Sequence, residues 1–555
     1  MNIADLVLAR ADDDAVGLRA GEQSWTYREY VDEAIARAHV LLSHRPDDKP
    51  FHIGVLLENV PDYVFLLGAA AITGGAIVGI NPTRRGSGLE RDIRHTECAV
   101  LVTEEKFLPL LDGLDTGVSA DATYVIESDR WRGIVQEHAG RAAPSVEIDE
   151  AAPFLLIFTS GTSGEPKASI CSQSRLAGIA PMIARNRQIT SDDTLYSVMP
   201  FFHANGIMSG WSAALAGGAT LAIRRRFSAS QFMPDVRKYG ATLANYVGKV
   251  IAYVLATPES PEDRENPLRF VYGNEGGALN CRRFEERFGC PVSDSYGSSE
   301  GGVSIFATPD TPPGALGQGV PGSTVLDPDT GQPKDPAVFT AHGRLANPDE
   351  AIGEIARIAD DLEFEGYWND PEAQQEKTRG GIFWTGDLGY RDEAGFLYLL
   401  GRNSDWMRVD GENMAAVTIE GVMARFPSAA LVCAYGVPDV DVGDQIMLAI
   451  LLRDGENFEP QAFARFLREQ PDLGTKALPR YVRICEELPM TSSNKILTRQ
   501  LRAESWDCPD PVWLRDGDGY RLMTSHDITT LRNQFEARGR SILPYQAASS
   551  AARSR

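Results

Sequence analysis

Phe158-Thr159-Ser160-Gly161-Thr162-Ser163-Gly164-Glu165-Pro166-Lys167 is the stretch on which the reading of this chain turns. It packs hydroxyls, glycines and one lysine into a single loop. It follows Phe154-Leu155-Leu156-Ile157, an apolar run that reads as a buried strand. A strand opening into a Gly/Ser/Thr loop brings backbone N–H groups and hydroxyls around a phosphate, and Lys167 adds a positive charge. The spacing departs from the Walker A pattern, which closes on Gly-Lys-Ser/Thr. Here the lysine follows Gly-Glu-Pro, which disfavours an ordinary P-loop NTPase. A solvated loop between strands is the bland alternative, because such clusters are common there.

Four more segments follow in order: Tyr296-Gly297-Ser298-Ser299-Glu300, Thr385-Gly386-Asp387, Gly401-Arg402-Asn403-Ser404-Asp405 running on to Gly411-Glu412-Asn413, and Pro489-Met490-Thr491-Ser492-Ser493-Asn494-Lys495. Each alone could be a turn. Together they resemble the adenylate-forming superfamily of acyl-CoA synthetases, luciferases and peptide-synthetase adenylation domains, over nearly the whole chain.

Periodicity gives the fold class. Strand-like runs such as His52-Ile53-Gly54-Val55-Leu56-Leu57, Ala99-Val100-Leu101-Val102 and Ala219-Thr220-Leu221-Ala222-Ile223 alternate with helical patterns up to about residue 400, which predicts layered α/β sheets. Between about 315 and 360 a Gly/Pro/Asp-rich texture predicts a small β-rich subdomain. Beyond Arg402 the strands Leu431–Val437 and Ile446–Leu452 and a helix from Pro460 to Glu469 predict a small α+β domain. The expected division is a large N-terminal α/β domain over 1–402, a smaller mobile α+β domain over 403–510, and a C-terminal extension and disordered tail over 511–555. Val64 to Ile80 lacks any charge, but Thr73-Gly74-Gly75 interrupts it. A helix, a Gly turn and the buried strand Ala76–Ile80 fit better than a membrane span, which needs about 20 apolar residues.

At 555 residues the chain is long enough for more than one domain. A formal net charge of −23 argues against nucleic acid and against electrostatic docking on an anionic membrane. It also means that anionic substrates must be met by local cations, which Lys167, Arg402 and Lys495 supply. The seven cysteines and eight histidines show no zinc spacing, so reduced thiols in a cytoplasmic protein are expected. The N-terminus lacks the basic and apolar regions of a signal peptide. An integral membrane anchor is not expected; peripheral membrane contact and a homodimer stay open.

The resemblance implies roles residue by residue. ATP, Mg²⁺ and CoA are the implied cofactor and co-substrates. Thr159, Ser160, Gly161, Thr162, Ser163, Gly164 and Lys167 would clamp the β- and γ-phosphates. Tyr296 would stack on adenine, with Gly276 also against the nucleotide. Ser299 stands where a threonine usually contacts the α-phosphate, and Glu300 matches the acid that binds Mg²⁺. Asp387 would accept both ribose hydroxyls, since a carboxylate can take two donors at once. Arg402 matches an arginine near ribose and phosphate, and Asp405 the hinge of the rotating small domain. Gly411 and Glu412 lie in the loop expected beside the pantetheine arm, or in a plain hairpin turn. Lys495 would bridge the carboxylate and the α-phosphate; Asn494 replaces the usual glycine before it.

Arg226–Phe232, Arg237–Thr242, Tyr272-Gly273-Asn274, Gly411-Glu412-Asn413 and Asp510–Tyr520 resemble the branch of very-long-chain acyl-CoA synthetases and fatty-acid transport proteins. The implied activity is ligation of CoA to a long or bulky lipophilic acid, a fatty acid or a steroid side-chain acid. Loading of a carrier protein and lipid transport with residual ATP binding are the alternatives. The acyl pocket is expected between Pro200–Gly206 and Gly273–Gly277. His203 matches a position beside the carboxylate and reads equally as a core histidine. Lys249 stands where the branch is expected to carry an acid. Arg224-Arg225-Arg226 reads as a solvated edge, with a CoA phosphate site as the alternative.

Overall fold

The computed structural model describes residues 1–159, 166–308, 310–340, 345–360, 362–402, 406–409, 412–441, 443–470, 473–491 and 495–538. The aliphatic strands His52–Leu56 and Ala76–Gly79 are buried along their whole length, as is Phe154–Ile157 within Pro153–Thr159. Strands without a solvent face belong at the centre of a covered parallel sheet. They lie in a six-stranded sheet of order Thr123–Val125, Val100–Thr103, His52–Leu56, Ala76–Gly79, Pro153–Thr159, Lys167–Ser172, parallel except for its last pair. The uncharged stretch becomes the helix Pro61–Thr73, closed by Gly74 at φ 68°, and then the strand. Only a residue free of the Cβ penalty makes that left-handed stop cheaply. Among the described residues no helix is long and apolar enough to cross a membrane.

A second sheet of nine strands runs Gln318–Gly319, Ser304–Phe306, Val292–Gly297, Phe270–Asn274, Leu243–Val247, Thr194–Ser197, Thr220–Ile223, Val16–Ala20, Gln23–Thr26. The six strands from Val292–Gly297 to Val16–Ala20 are parallel. Parallel strands put all their C-terminal ends on one edge, where ligand loops collect. The Pro200–Gly206 segment, Lys249, Glu275–Gly277 and Ser298–Glu300 all leave that edge. The helices Tyr27–Leu42 and Pro61–Thr73 share one apolar core with both sheets.

The β-rich region is a four-stranded antiparallel sheet, Ser323–Leu326, Gly353–Ile358, Ile382–Arg391 and Leu397–Arg402, so it reaches beyond the expected 360. After it come the hairpin strands Trp406–Val409 and Glu412–Ala415. A five-stranded sheet then follows, in the order Ala429–Pro438, Asp444–Leu452, Tyr481–Cys485, Val512–Asp516, Gly519–Leu522. The stretch after 511 therefore supplies two strands of this sheet, with Val512, Leu514 and Tyr520 buried, and the helix Ser525–Ala537 buries Phe535. The tail proper lies outside the described residues.

Candidate active site

The strands Pro153–Thr159 and Lys167–Ser172 pair with Thr159 opposite Lys167. Ser160, Gly161, Thr162, Ser163 and Gly164 lie outside the described residues. Lys167 Nζ stands 5.5 Å from the centroid of the Tyr367 ring, and the Tyr367 hydroxyl donates to Glu300 Oε1 at 3.2 Å. Glu300 is 9% exposed. Burial opposes its charge, yet the Lys377 ammonium, its own backbone N–H and the hydroxyls of Ser298 and Thr159 hold the carboxyl below its ordinary range. Lys377 is itself placed by donating to the Thr385 carbonyl at 3.0 Å. Glu300 is thus held towards its ionised form beside the ends of the strands Pro153–Thr159 and Val292–Gly297.

The Tyr296 hydroxyl donates to Asp387 Oδ2 at 2.5 Å. The antiparallel register sets Asp387 opposite Arg402, whose side chain lies outside the described residues. The Asp387 backbone N–H is held by Thr385 Oγ1 at 3.1 Å. Ser299 and Gly276 line the same cleft.

The acid end is built around two close approaches. A Cβ on Gly79 would lie 2.7 Å from the Phe202 carbonyl oxygen, so glycine lets the strand Ala76–Gly79 press against the turn that carries His203. At the end of Phe270–Asn274, Glu275 takes φ 66°, a conformation costly for a residue with a side chain. Asp294 secures the loop that follows: it accepts from the Tyr246 hydroxyl at 2.8 Å and from the backbone N–H groups of Gly276 and Gly277 at 3.1 and 3.2 Å. Lys495 Nζ reaches from the C-terminal part of the chain to Glu275 Oε1 at 2.6 Å. Its backbone N–H donates to Thr491 Oγ1 at 3.0 Å; Asn494 lies outside the described residues.

Desolvation, with the Lys495 charge next, pushes the His203 imidazole down to about 4, while Glu275 and Glu300 act the other way. The ordinary value is 6.5. The stability this neutral imidazole contributes is fully present above the unfolded value and is lost as pH falls through 6.5 towards about 4. The His203 imidazole is therefore held towards its neutral form. Comparison of His203→Gln with the parent over about pH 5 to 8 is expected to give parallel kcat/KM profiles, with no inflection removed by the substitution. Loss of an inflection near 6.5 would contradict the neutral imidazole.

Gly276 has no room for a side chain: a Cβ would lie 2.7 Å from Tyr246 Oη and 2.9 Å from Cys281 Sγ. Gly276→Ala is expected to displace the loop and lower kcat/KM by ~10²-fold, the scale of a small misplacement at a reacting centre. Steady-state kinetics equal to the parent would place the loop away from that centre.

Asp294, Tyr246, Tyr367 and Lys377 escaped the sequence reading. Asp294 and Tyr246 act through partners distant in sequence, and Tyr367 and Lys377 act on Glu300 from a segment no motif marks. Lys249 pairs with Glu420 at 3.6 Å, across the cleft. Arg224 pairs with Asp235 at 2.6 Å, and both Arg225 and Arg226 pair with Glu58, so this run is a paired edge and not a phosphate site. Asp405 and Gly411 lie outside the described residues, as does the side chain of Glu412.

His203, Glu275, Tyr296, Glu300, Asp387 and Lys495 open on one cleft of about 3700 Å³. Its ionised acid, paired lysine, neutral imidazole and Tyr–Asp pair suit binding a nucleotide beside a carboxylate. Among the described residues no three metal-ligating side chains cluster.

A two-part α/β architecture with this site defines an adenylate-forming enzyme. The chain belongs to the AMP-binding enzyme family: the model of that family matches residues 7–368, and the model of the AMP-binding enzyme C-terminal domain matches residues 418–495. It is 46% identical over 543 residues to the steroid-22-oyl-CoA synthetase of Rhodococcus jostii (strain RHA1), covering 97% of this chain and 98% of that protein. It is 44% identical over 513 residues to the medium/long-chain-fatty-acid–CoA ligase FadD17 of Mycobacterium marinum, covering 92% and 97%. Among solved structures, the anthranilate CoA ligase AuaEII with anthranoyl-AMP superposes with a TM-score of 0.77 at 19% identity, over 90% of this chain and 96% of that one.

Proposed function

We propose that this chain is an ATP-dependent, AMP-forming acid–CoA ligase for a bulky or long lipophilic carboxylic acid, a steroid side-chain acid or a fatty acid. The observation that carries the reading is the convergence of His203, Glu275, Glu300 and Lys495 on one cleft. In the first half-reaction a carboxylate oxygen attacks the α-phosphorus of ATP and pyrophosphate leaves. In the second the CoA thiolate attacks the acyl carbon and AMP leaves.

Lys495, released from Glu275, bridges the carboxylate and the α-phosphate. A mobile point charge suits this task. His203 donates or accepts beside the carboxylate without changing charge. Thr159, Lys167 and the loop between them hold the outer phosphates, and Ser299 the α-phosphate. Tyr296 faces adenine, and Asp387 with Arg402 holds ribose. Glu300 is an ionised oxygen donor fit for Mg²⁺, a hard cation that takes its other ligands from phosphate and water. Bound there, the cation would offset the phosphate charge.

Residues 1–402 form the nucleotide and acid domain, and the part from 403 the domain that turns about Asp405. The strands after 511 move with the second part. Gly411 and Glu412 then approach the CoA arm. Lys249–Glu420 and Lys495–Glu275 span the two parts and must open for that turn.

The test is AMP release with ATP, Mg²⁺ and CoA across fatty acids and steroid side-chain acids, with CoA omitted in parallel. CoA-dependent turnover supports the reading. Adenylate formation indifferent to CoA would overturn it in favour of carrier-protein loading.

A further inference from the structure

Arg187 puts a charge into the lining of the cleft. Arg187 follows the helix Gln173–Asn186, is half-buried, and lines the cleft. Its Nη1 donates to Ser293 Oγ at 2.9 Å, and its Cζ lies 5.5 and 5.3 Å from the ring centroids of Phe270 and Tyr272. No carboxylate among the described residues pairs with it. A guanidinium carries five N–H donors, and one neutral hydroxyl with two ring faces leaves most of them unused. Burial lowers its pKa from the ordinary arginine value, as expected for a desolvated cation lacking an anion.

Its position relative to the chemistry follows from the sheet. Tyr272 pairs with Ser293, and Asn274 with Ser295. Alternate residues share a face, so all four lie on one face of the sheet. The strand runs on from Ser293 to Gly297, whose end carries Ser298–Glu300. At roughly 3.3 Å per residue that is about 13 Å. Against that sheet face, which carries Asn274 and Ser295, stand apolar side chains: Ile179, Met182 and Ile183, which share one helix face, and Met208 all line the cleft.

We infer that Arg187 is a specificity-determining residue that receives a second oxygen acceptor, a carboxylate above all, at the far end of the acid being activated. An apolar passage with acid-activating groups at one end and an anion-seeking fork at the other fits a lipophilic acid with polar groups at both ends. A plain alkyl acid would leave the guanidinium desolvated and unmatched, which penalises it. The inference rests on the ligase reading and names its substrate class.

The experiment compares dodecanedioic and tetradecanedioic acids with dodecanoic and tetradecanoic acids, by CoA-dependent AMP release, in the parent, Arg187→Met, Arg187→Lys and Ser293→Ala. The parent is expected to favour the diacids. Arg187→Met should raise KM for the diacids by ~10- to 100-fold, the worth of a hydrogen-bonded charge pair, and leave the monoacids unchanged or improved. Arg187→Lys should restore part of the preference, and Ser293→Ala should weaken it mildly. A diacid-to-monoacid ratio unchanged by Arg187→Met, or equal losses on both acid types, would overturn the inference while leaving the ligase reading intact. Absence of CoA-dependent AMP release from every acid would overturn both.

Discussion

Replacing Lys495 by alanine is expected to lower acyl-adenylate formation by about three orders of magnitude, in the range found when a donor aimed at developing charge is lost. Its ammonium is the cation that reaches the His203–Glu275 end of the cleft from the C-terminal part of the chain. Its backbone N–H is tied to Thr491 Oγ1 and its side chain is partly exposed, so truncation removes the charge without disturbing a buried core. Its present partner, Glu275, is held by a strained backbone at the edge of the sheet, where it can hold the lysine until an acid competes for it. The loss should fall on one half-reaction: CoA attack on acyl-adenylate supplied from outside is expected to stay within about tenfold of the parent, because that step needs no charge at the α-phosphate. Single-turnover assays of the two steps separate these outcomes. Equal losses in both would contradict a lysine that acts in adenylation alone.

The second large effect is expected at Glu300. The glutamine variant keeps an oxygen for the Tyr367 hydroxyl but removes the charge that Lys377, Ser298 and Thr159 stabilise. Adenylation is expected to fall by ~10²-fold, with the Mg²⁺ concentration for half-maximal rate raised, since a hard cation loses its ionised ligand. A Mg²⁺ titration of pyrophosphate release checks this. A parent-like Mg²⁺ dependence would remove Glu300 from the metal's surroundings. Because its buried carboxyl is compensated by neighbours, the variant also removes one of the negative charges that face Lys377, so some loss of Tm is expected alongside the kinetic effect.

The layered α/β class was legible because the central strands are buried on both faces and read as unbroken apolar runs. The stop at Gly74 was legible for the same kind of local reason, a glycine where the chain must turn left-handed. The two strands after 511 were less so. Val512, Leu514 and Tyr520 are spread through a polar segment, and only their pairing with Tyr481–Cys485 reveals that they complete a sheet. In the site, motif residues could be named because their segments, taken together and in order, resemble the motifs of a known superfamily. Asp294 and Tyr246 could not, because their role is to hold Gly276 and Gly277 across strands distant in sequence. Arg187 was silent for the same reason: nothing around it in sequence says that Phe270, Tyr272 and Ser293 surround it.

The most direct test of the central claim follows the oxygen. An accepted acid labelled with ¹⁸O in its carboxylate is incubated with ATP, Mg²⁺, CoA and the enzyme, and the products are weighed by mass spectrometry. Passage through an acyl-adenylate predicts that one labelled oxygen appears in AMP and the other stays in the thioester. Label in orthophosphate with release of ADP, or AMP free of label, would contradict the mechanism.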